Sequence, residues 1–81
     1  MQISDAIYQR INFYMKKNNI NSLWELYKIT GLPKATINSL LSSRRTSIPT
    51  INTLIQLCYG LNTNLRDFFD DEVFENINDD M

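Results

Sequence analysis

The sequence predicts an all-α, compact five-helix domain, on three observations. Apolar residues recur at spacings of three and four, the period of a helix with one buried face. The two glycines, Gly31 and Gly60, each follow such a run, and the two prolines, Pro33 and Pro49, stand just ahead of the next one, which is the usual asymmetry of helix stops and starts. No stretch alternates in the period-2 manner of a strand.

In the first helix, about Ser4 to Lys17, Ile3, Ile7, Ile11, Tyr14 and Met15 mark one face, and Asn18 and Asn19 end it. Ser22 caps the second, with Glu25 three residues on to complete a capping box. Leu23, Leu26 and either Ile29 or Thr30 are expected to face inward, and Gly31 stops the helix. After a turn of Gly31, Leu32 and Pro33 comes a third helix over about Lys34 to Ser42, with Ile37, Leu40 and Leu41 apolar. Two helices joined by a three-residue turn containing glycine make a helix-turn-helix. A polar loop, Ser42 to Pro49, carries Arg44 and Arg45. Thr50 then caps a fourth helix in which Ile51, Leu54, Ile55, Leu57 and Cys58 are apolar over most of the circumference, a pattern that predicts burial in the middle of the fold. Gly60 is expected to end it in a left-handed conformation. A fifth helix from Thr63 brings in Leu65, Phe68 and Phe69.

The chain has 81 residues, 43% hydrophobic, with one cysteine and no histidine. That size suits one small domain. The composition excludes an internal disulfide, imidazole-based catalysis and the usual zinc clusters, so it argues against an enzyme and calls for no cofactor and no metal. Cys58 is expected in the core. With no long apolar run and no leader-like start, the reading is a cytoplasmic protein with no membrane partner. The net charge of −1 hides an asymmetry. Residues 1–66 hold all eight basic side chains and two acids, a net of +6, whereas the last fifteen residues hold seven acids and no base. A basic body points to nucleic acid. The domain is therefore divided into residues 1–70 and an acidic C-terminal tail over 71–81, which either frays or continues as a turn or two through Val73, Phe74 and Ile77.

Over roughly Ile7 to Phe69 the chain resembles the phage lambda repressor and Cro type of helix-turn-helix regulators, also called the Xre type. The stretch from Ser22 to Leu41 is similar to that family's helix 2, turn and helix 3; Pro49 to Leu54 and Gly60 to Phe69 are similar to its helix 4 start and its helix 5. The sequence departs from the pattern in four places. Tyr27 stands where a small residue usually lets helices 2 and 3 touch, Pro33 replaces a Ser or Thr cap, and Ser43 replaces a glycine. Leu41 replaces a glutamate that would pair with a helix 1 arginine, so Arg10 lacks that partner.

The resemblance implies a double-stranded DNA operator as partner, bound with helix 3 in the major groove. By position Lys34, Ala35 and Ser39 face bases, with Thr36 and Asn38 nearby. Phosphate contacts fall to Ser22, to Trp24 at the rim, to Arg44 and Arg45 in the loop, and to Thr50. Trp24 packed on helix 1 is the alternative. Lys16, Lys17 and Lys28 add general positive field. The family further implies a homodimer, for which Phe68, Phe69, Val73, Phe74 and Ile77 offer an apolar patch. Transcriptional repression is the function this reading reaches. Its alternative is a protein-binding module, such as an antitoxin whose acidic tail contacts a toxin.

Overall fold

The computed structural model describes residues 1–42 and 48–77. Among them are five α-helices and no strand: α1 Ile3–Lys17, α2 Leu23–Thr30, α3 Lys34–Leu41, α4 Ile51–Gly60 and α5 Leu65–Phe69, followed by a 3-10 turn over Glu72–Asn76. The predicted all-α five-helix class is the observed one. The core gathers Ile7, Ile11, Tyr14 and Met15 of α1 with Leu26, Ile37, Leu40, Leu54, Leu57 and Phe68.

Helix ends explain much of the arrangement. Ser22 Oγ accepts from the Glu25 N–H at 3.2 Å, as a capping box requires, but the Glu25 carboxylate takes the N–H of Asn21, one residue before the cap. Gly31 adopts φ 70°, the left-handed C-terminal conformation that a glycine enters without steric cost. Leu32, buried, anchors the turn, and its N–H donates to Thr30 Oγ1. Pro33 starts α3 with φ −59° and no side-chain cap. Asn18 Nδ2 donates to the carbonyls of Tyr14 and Leu61, so one amide closes the ends of both α1 and α4.

Several expectations need correction. In α2 it is Leu26 and Thr30 that face inward; Leu23 and Ile29 are exposed. The fourth helix is not buried all round. Leu54, Leu57 and Cys58 are inside, whereas Ile51, Ile55 and Tyr59 lie exposed along the opposite stripe, because a helix of a small domain meets neighbours on one side only. Gly60 remains helical, and the left-handed residue is Asn62 at φ 59°. Its role is contact: a Cβ on Gly60 would lie 2.7 Å from Thr30 Cγ2, so the glycine lets α2 and α4 approach. The fifth helix begins at Leu65 with Asn64 as cap, Asn64 Oδ1 accepting from the Asp67 N–H.

The acidic segment folds back on the body as far as it is described. Arg10, 7% exposed, donates from Nε to the Phe68 carbonyl at 2.8 Å and from Nη2 to the Asp67 carbonyl at 2.9 Å. Its Nη1 meets Asp71 Oδ2 at 3.2 Å. Arg10 thus finds a partner, at the C-terminal end and not near Leu41. A five-residue helix leaves most of its carbonyls without intrahelical donors; the buried guanidinium supplies one to Phe68 and shares the Asp67 carbonyl with the Asp70 N–H and the Tyr14 hydroxyl, while placing a cation at the negative end of the helix. The Phe74 ring lies tilted against Phe69, with centroids 4.7 Å apart, so the segment rests on the core through Phe74.

Candidate nucleic-acid interface

The face of α3 that is turned away from the core carries Lys34, Ala35 and Asn38, all exposed, with Thr36 and Ser39 half-buried beside them. Burial of Ile37 and Leu40 fixes this orientation. Ser39 Oγ donates back to the Thr36 carbonyl at 3.4 Å, which shortens its reach, while Lys34 and Asn38 stand one turn apart on the same edge.

That edge adjoins α2. Tyr27, half-buried against the core, reaches α3: its hydroxyl donates to Asn38 Oδ1 at 2.8 Å, and the Lys34 ammonium stands 5.8 Å from its ring centroid. The bulky residue between helices 2 and 3 is thereby accommodated with its ring partly on the core and its hydroxyl at the surface. Farther along α2, Trp24 is 59% exposed, with the Lys28 ammonium 4.3 Å from its ring centroid. This settles the alternative that Trp24 is core. A cation over an indole face is a partly solvated pairing worth a fraction of a kcal/mol to about 1, enough to bias both side chains toward one place. Lys28, assigned only to general field in the sequence, is thus joined to Trp24. The spacing of four residues was visible there; the contact of Tyr27 with Asn38, eleven residues apart across a turn, was not.

Ser22 Oγ accepts from the Glu25 N–H and keeps its own O–H as a donor, while the Glu25 carboxylate occupies the Asn21 N–H, so a phosphate at the start of α2 would use the Ser22 O–H and the remaining backbone donors. Thr50 is exposed and caps α4 by accepting from the Thr53 N–H. Arg44 and Arg45 lie outside the described residues. Of the apolar patch expected from the sequence, Phe68 is fully buried in the protomer's own core and has no surface to offer; Phe69, Val73, Phe74 and Ile77 are half-buried. Cys58 is 2% exposed, and burial pushes its thiol pKa up, which disfavours the reactive thiolate.

A helix-turn-helix inside a five-helix domain, with cations and aromatics gathered beside the outward face of its second helix, is the arrangement of one large family. The family model described as the Cro/C1-type HTH DNA-binding domain matches residues 10–73. The chain belongs to that family. No curated protein and no solved structure matches significantly. The Cro/C1-type assignment makes the chain a DNA-binding regulator and α3 its second helix-turn-helix element. No helix among the described residues is long and apolar enough to cross a membrane.

Trp24 is the only tryptophan, so its emission reports this face alone. The free protein is expected to emit at long wavelength and to be quenched by iodide. Duplex DNA should reduce that quenching. Quenching unchanged at saturating DNA would place the interface elsewhere.

Proposed function

We propose that the protein is a sequence-specific duplex DNA-binding repressor that acts as a homodimer, with α3 in the major groove. The observation that carries this reading is the pair of exposed donors, Lys34 and Asn38, on the outward edge of α3 beside the Trp24, Tyr27 and Lys28 strip of α2. In such docking the N-terminal residues of the second helix meet base edges while the first helix runs along the backbone. Lys34 donates to guanine O6 and N7, and the exposed Ala35 methyl suits a thymine methyl. Thr36 and Ser39 follow at the margin. Ser22, Trp24, Arg44, Arg45 and Thr50 serve phosphates, which position the domain without specifying sequence. Occupying an operator excludes other proteins from it, and repression follows from that.

Selection of bound sequences from a random duplex pool tests the reading: a two-fold symmetric site should be enriched. Lys34→Ala is expected to relax base preference at one position per half-site, at about 1–3 kcal/mol if the contact is bidentate. Arg44→Ala or Arg45→Ala should weaken all sequences alike and lower the salt slope by about one unit each. Arginine changes that altered base preference, with Lys34→Ala leaving it intact, would reverse the docking.

For the homodimer, Phe69, Val73, Phe74 and Ile77 keep only partial surface, and Phe68 none. Open apolar area stands on α4, where Ile51 is 61% and Ile55 51% exposed. Ile55→Lys is therefore expected to shift sedimentation toward monomer, and Val73→Ser to leave the dimer intact. The opposite result would return the interface to the C-terminal segment.

A further inference from the structure

The hydrogen bond between Tyr27 and Asn38 is required neither by packing nor by the presence of α3 in a groove. Both side chains lie at the surface, the ring half-buried and the amide exposed, yet they meet at 2.8 Å. We propose that Tyr27 is a positioning residue that sets sequence preference: it holds the Asn38 amide with its NH2 group outward, so that Asn38 reads a base acceptor, guanine O6 or N7 or thymine O4. The inference rests on the DNA-reading role of α3 proposed above.

An unrestrained asparagine pairs with adenine by using both ends of its amide, Oδ1 accepting from N6 and Nδ2 donating to N7. That pairing needs Oδ1 against the base. Here Oδ1 accepts the Tyr27 hydroxyl proton, which ties that end of the amide to α2. Oxygen and nitrogen lie on opposite sides of Cγ, so the tie turns Nδ2 away from α2 with two free N–H donors. A tyrosine is suited to this work, because its ring is rigid beyond two torsions and its hydroxyl supplies a polar tip at a fixed reach. The same ring has the Lys34 ammonium near it, and an ammonium has donors only. Along this edge of α3 the protein therefore presents donors at two successive turns and no accessible amide acceptor. Guanine, with two acceptors in the major groove, is the base best matched to that pattern; adenine, which needs an acceptor opposite its N6 group, is disfavoured.

The test is sequence selection from a random duplex pool with the full chain and three variants: Tyr27→Phe, Asn38→Ala and the double variant, with urea midpoints measured for each. The wild type is expected to select guanine or thymine at the position where Asn38→Ala loses preference. Tyr27→Phe keeps the ring and removes only the hydroxyl; it should shift the adenine-to-guanine ratio at that one position by roughly three- to tenfold, the range of one hydrogen bond, with the salt slope and the other positions unchanged. In the Asn38→Ala background the same change should shift nothing. A structural role for Tyr27 would instead lower the urea midpoint and weaken every sequence alike. Adenine selected by the wild type at that position, an unchanged ratio in Tyr27→Phe, or a shift that persists without Asn38 would each overturn the proposal. Enrichment of no sequence by the wild type would overturn the DNA-reading role itself, a separate outcome.

Discussion

Arg10→Met is expected to destabilise the domain by about 2 kcal/mol, because it strands the buried Phe68 carbonyl, whereas the Asp67 carbonyl keeps the Tyr14 hydroxyl and the Asp70 N–H as donors. Methionine retains the apolar stem and most of the volume, but gives up the guanidinium contacts with the Phe13 and Tyr14 rings, which lie about 5 Å away. What disappears is the fork that serves the carbonyls of Asp67 and Phe68 and the Asp71 carboxylate. The Asp71 side chain is 38% exposed and can turn to water, so the ion pair itself contributes little. The carbonyls cannot turn, since they belong to α5. Leaving the one buried Phe68 acceptor unsatisfied costs about 1–3 kcal/mol, a large part of the roughly 4–12 kcal/mol expected for a domain of this length. Asp71→Asn should therefore cost well under half as much, and Arg10→Lys should recover only part, because an ammonium cannot span the same acceptors with a planar fork. Urea midpoints at constant slope give all three values. Equal losses in Asp71→Asn and Arg10→Met would show that the ion pair, not the carbonyl cap, holds the end of the chain.

The helices and the turn were legible because the signals that mark them act locally. Ser22 with Glu25 starts α2, Gly31 with its positive φ ends it, and Pro33 starts α3, and none of these needs a distant partner. The outward placing of Lys34, Ala35 and Ser39, with Thr36 and Asn38 nearby, is what the family resemblance implies; burial of Ile37 and Leu40 leaves Lys34, Ala35 and Asn38 exposed and Thr36 and Ser39 half-buried. Non-local contacts were not legible. Arg10 is bound to groups 57 to 61 residues away, and the sequence could show only that its expected partner was missing. The exposed stripe of α4 is not legible in the sequence, because periodicity reports which residues are apolar, while burial depends on how many neighbours the fold provides. Phe68 is buried in its own protomer for the converse reason: Tyr14, Phe69 and Phe74 surround it, and two of these follow it in the chain, one of them in the acidic segment.

Gly60→Ala is expected to cost about 1–3 kcal/mol, the usual range for overpacking a tight contact, although an added methyl in a helix would by itself favour the helix by about 1 kcal/mol. Geometry decides between the two effects. The new Cβ would stand 2.7 Å from Thr30 Cγ2, 3.0 Å from Ile29 Cγ2 and 3.0 Å from Thr30 Cα. A methyl at the end of a flexible chain could swing aside, but a backbone Cα cannot. Thr30 is also held by its hydroxyl, which donates to the Leu26 carbonyl at 2.7 Å and accepts from the Leu32 N–H, and its β-branched side chain has few rotamers to try. Relief therefore requires α2 to move off α4, which strains the bond from Gln56 Nε2 to the Thr30 carbonyl at 2.8 Å. Gly31→Ala offers a contrast, since there the cost comes from φ 70° with only an ordinary contact at 3.4 Å to Gln56; about 1 kcal/mol is expected. A double-mutant cycle separates the mechanisms. Thr30→Ser removes the nearest methyl and keeps the hydroxyl, so it should recover part of the loss in Gly60→Ala and none of that in Gly31→Ala, a non-additivity confined to residues in contact. Should Gly60→Ala raise the urea midpoint, helix propensity would outweigh the contact, and the approach of α2 to α4 would not depend on the missing side chain.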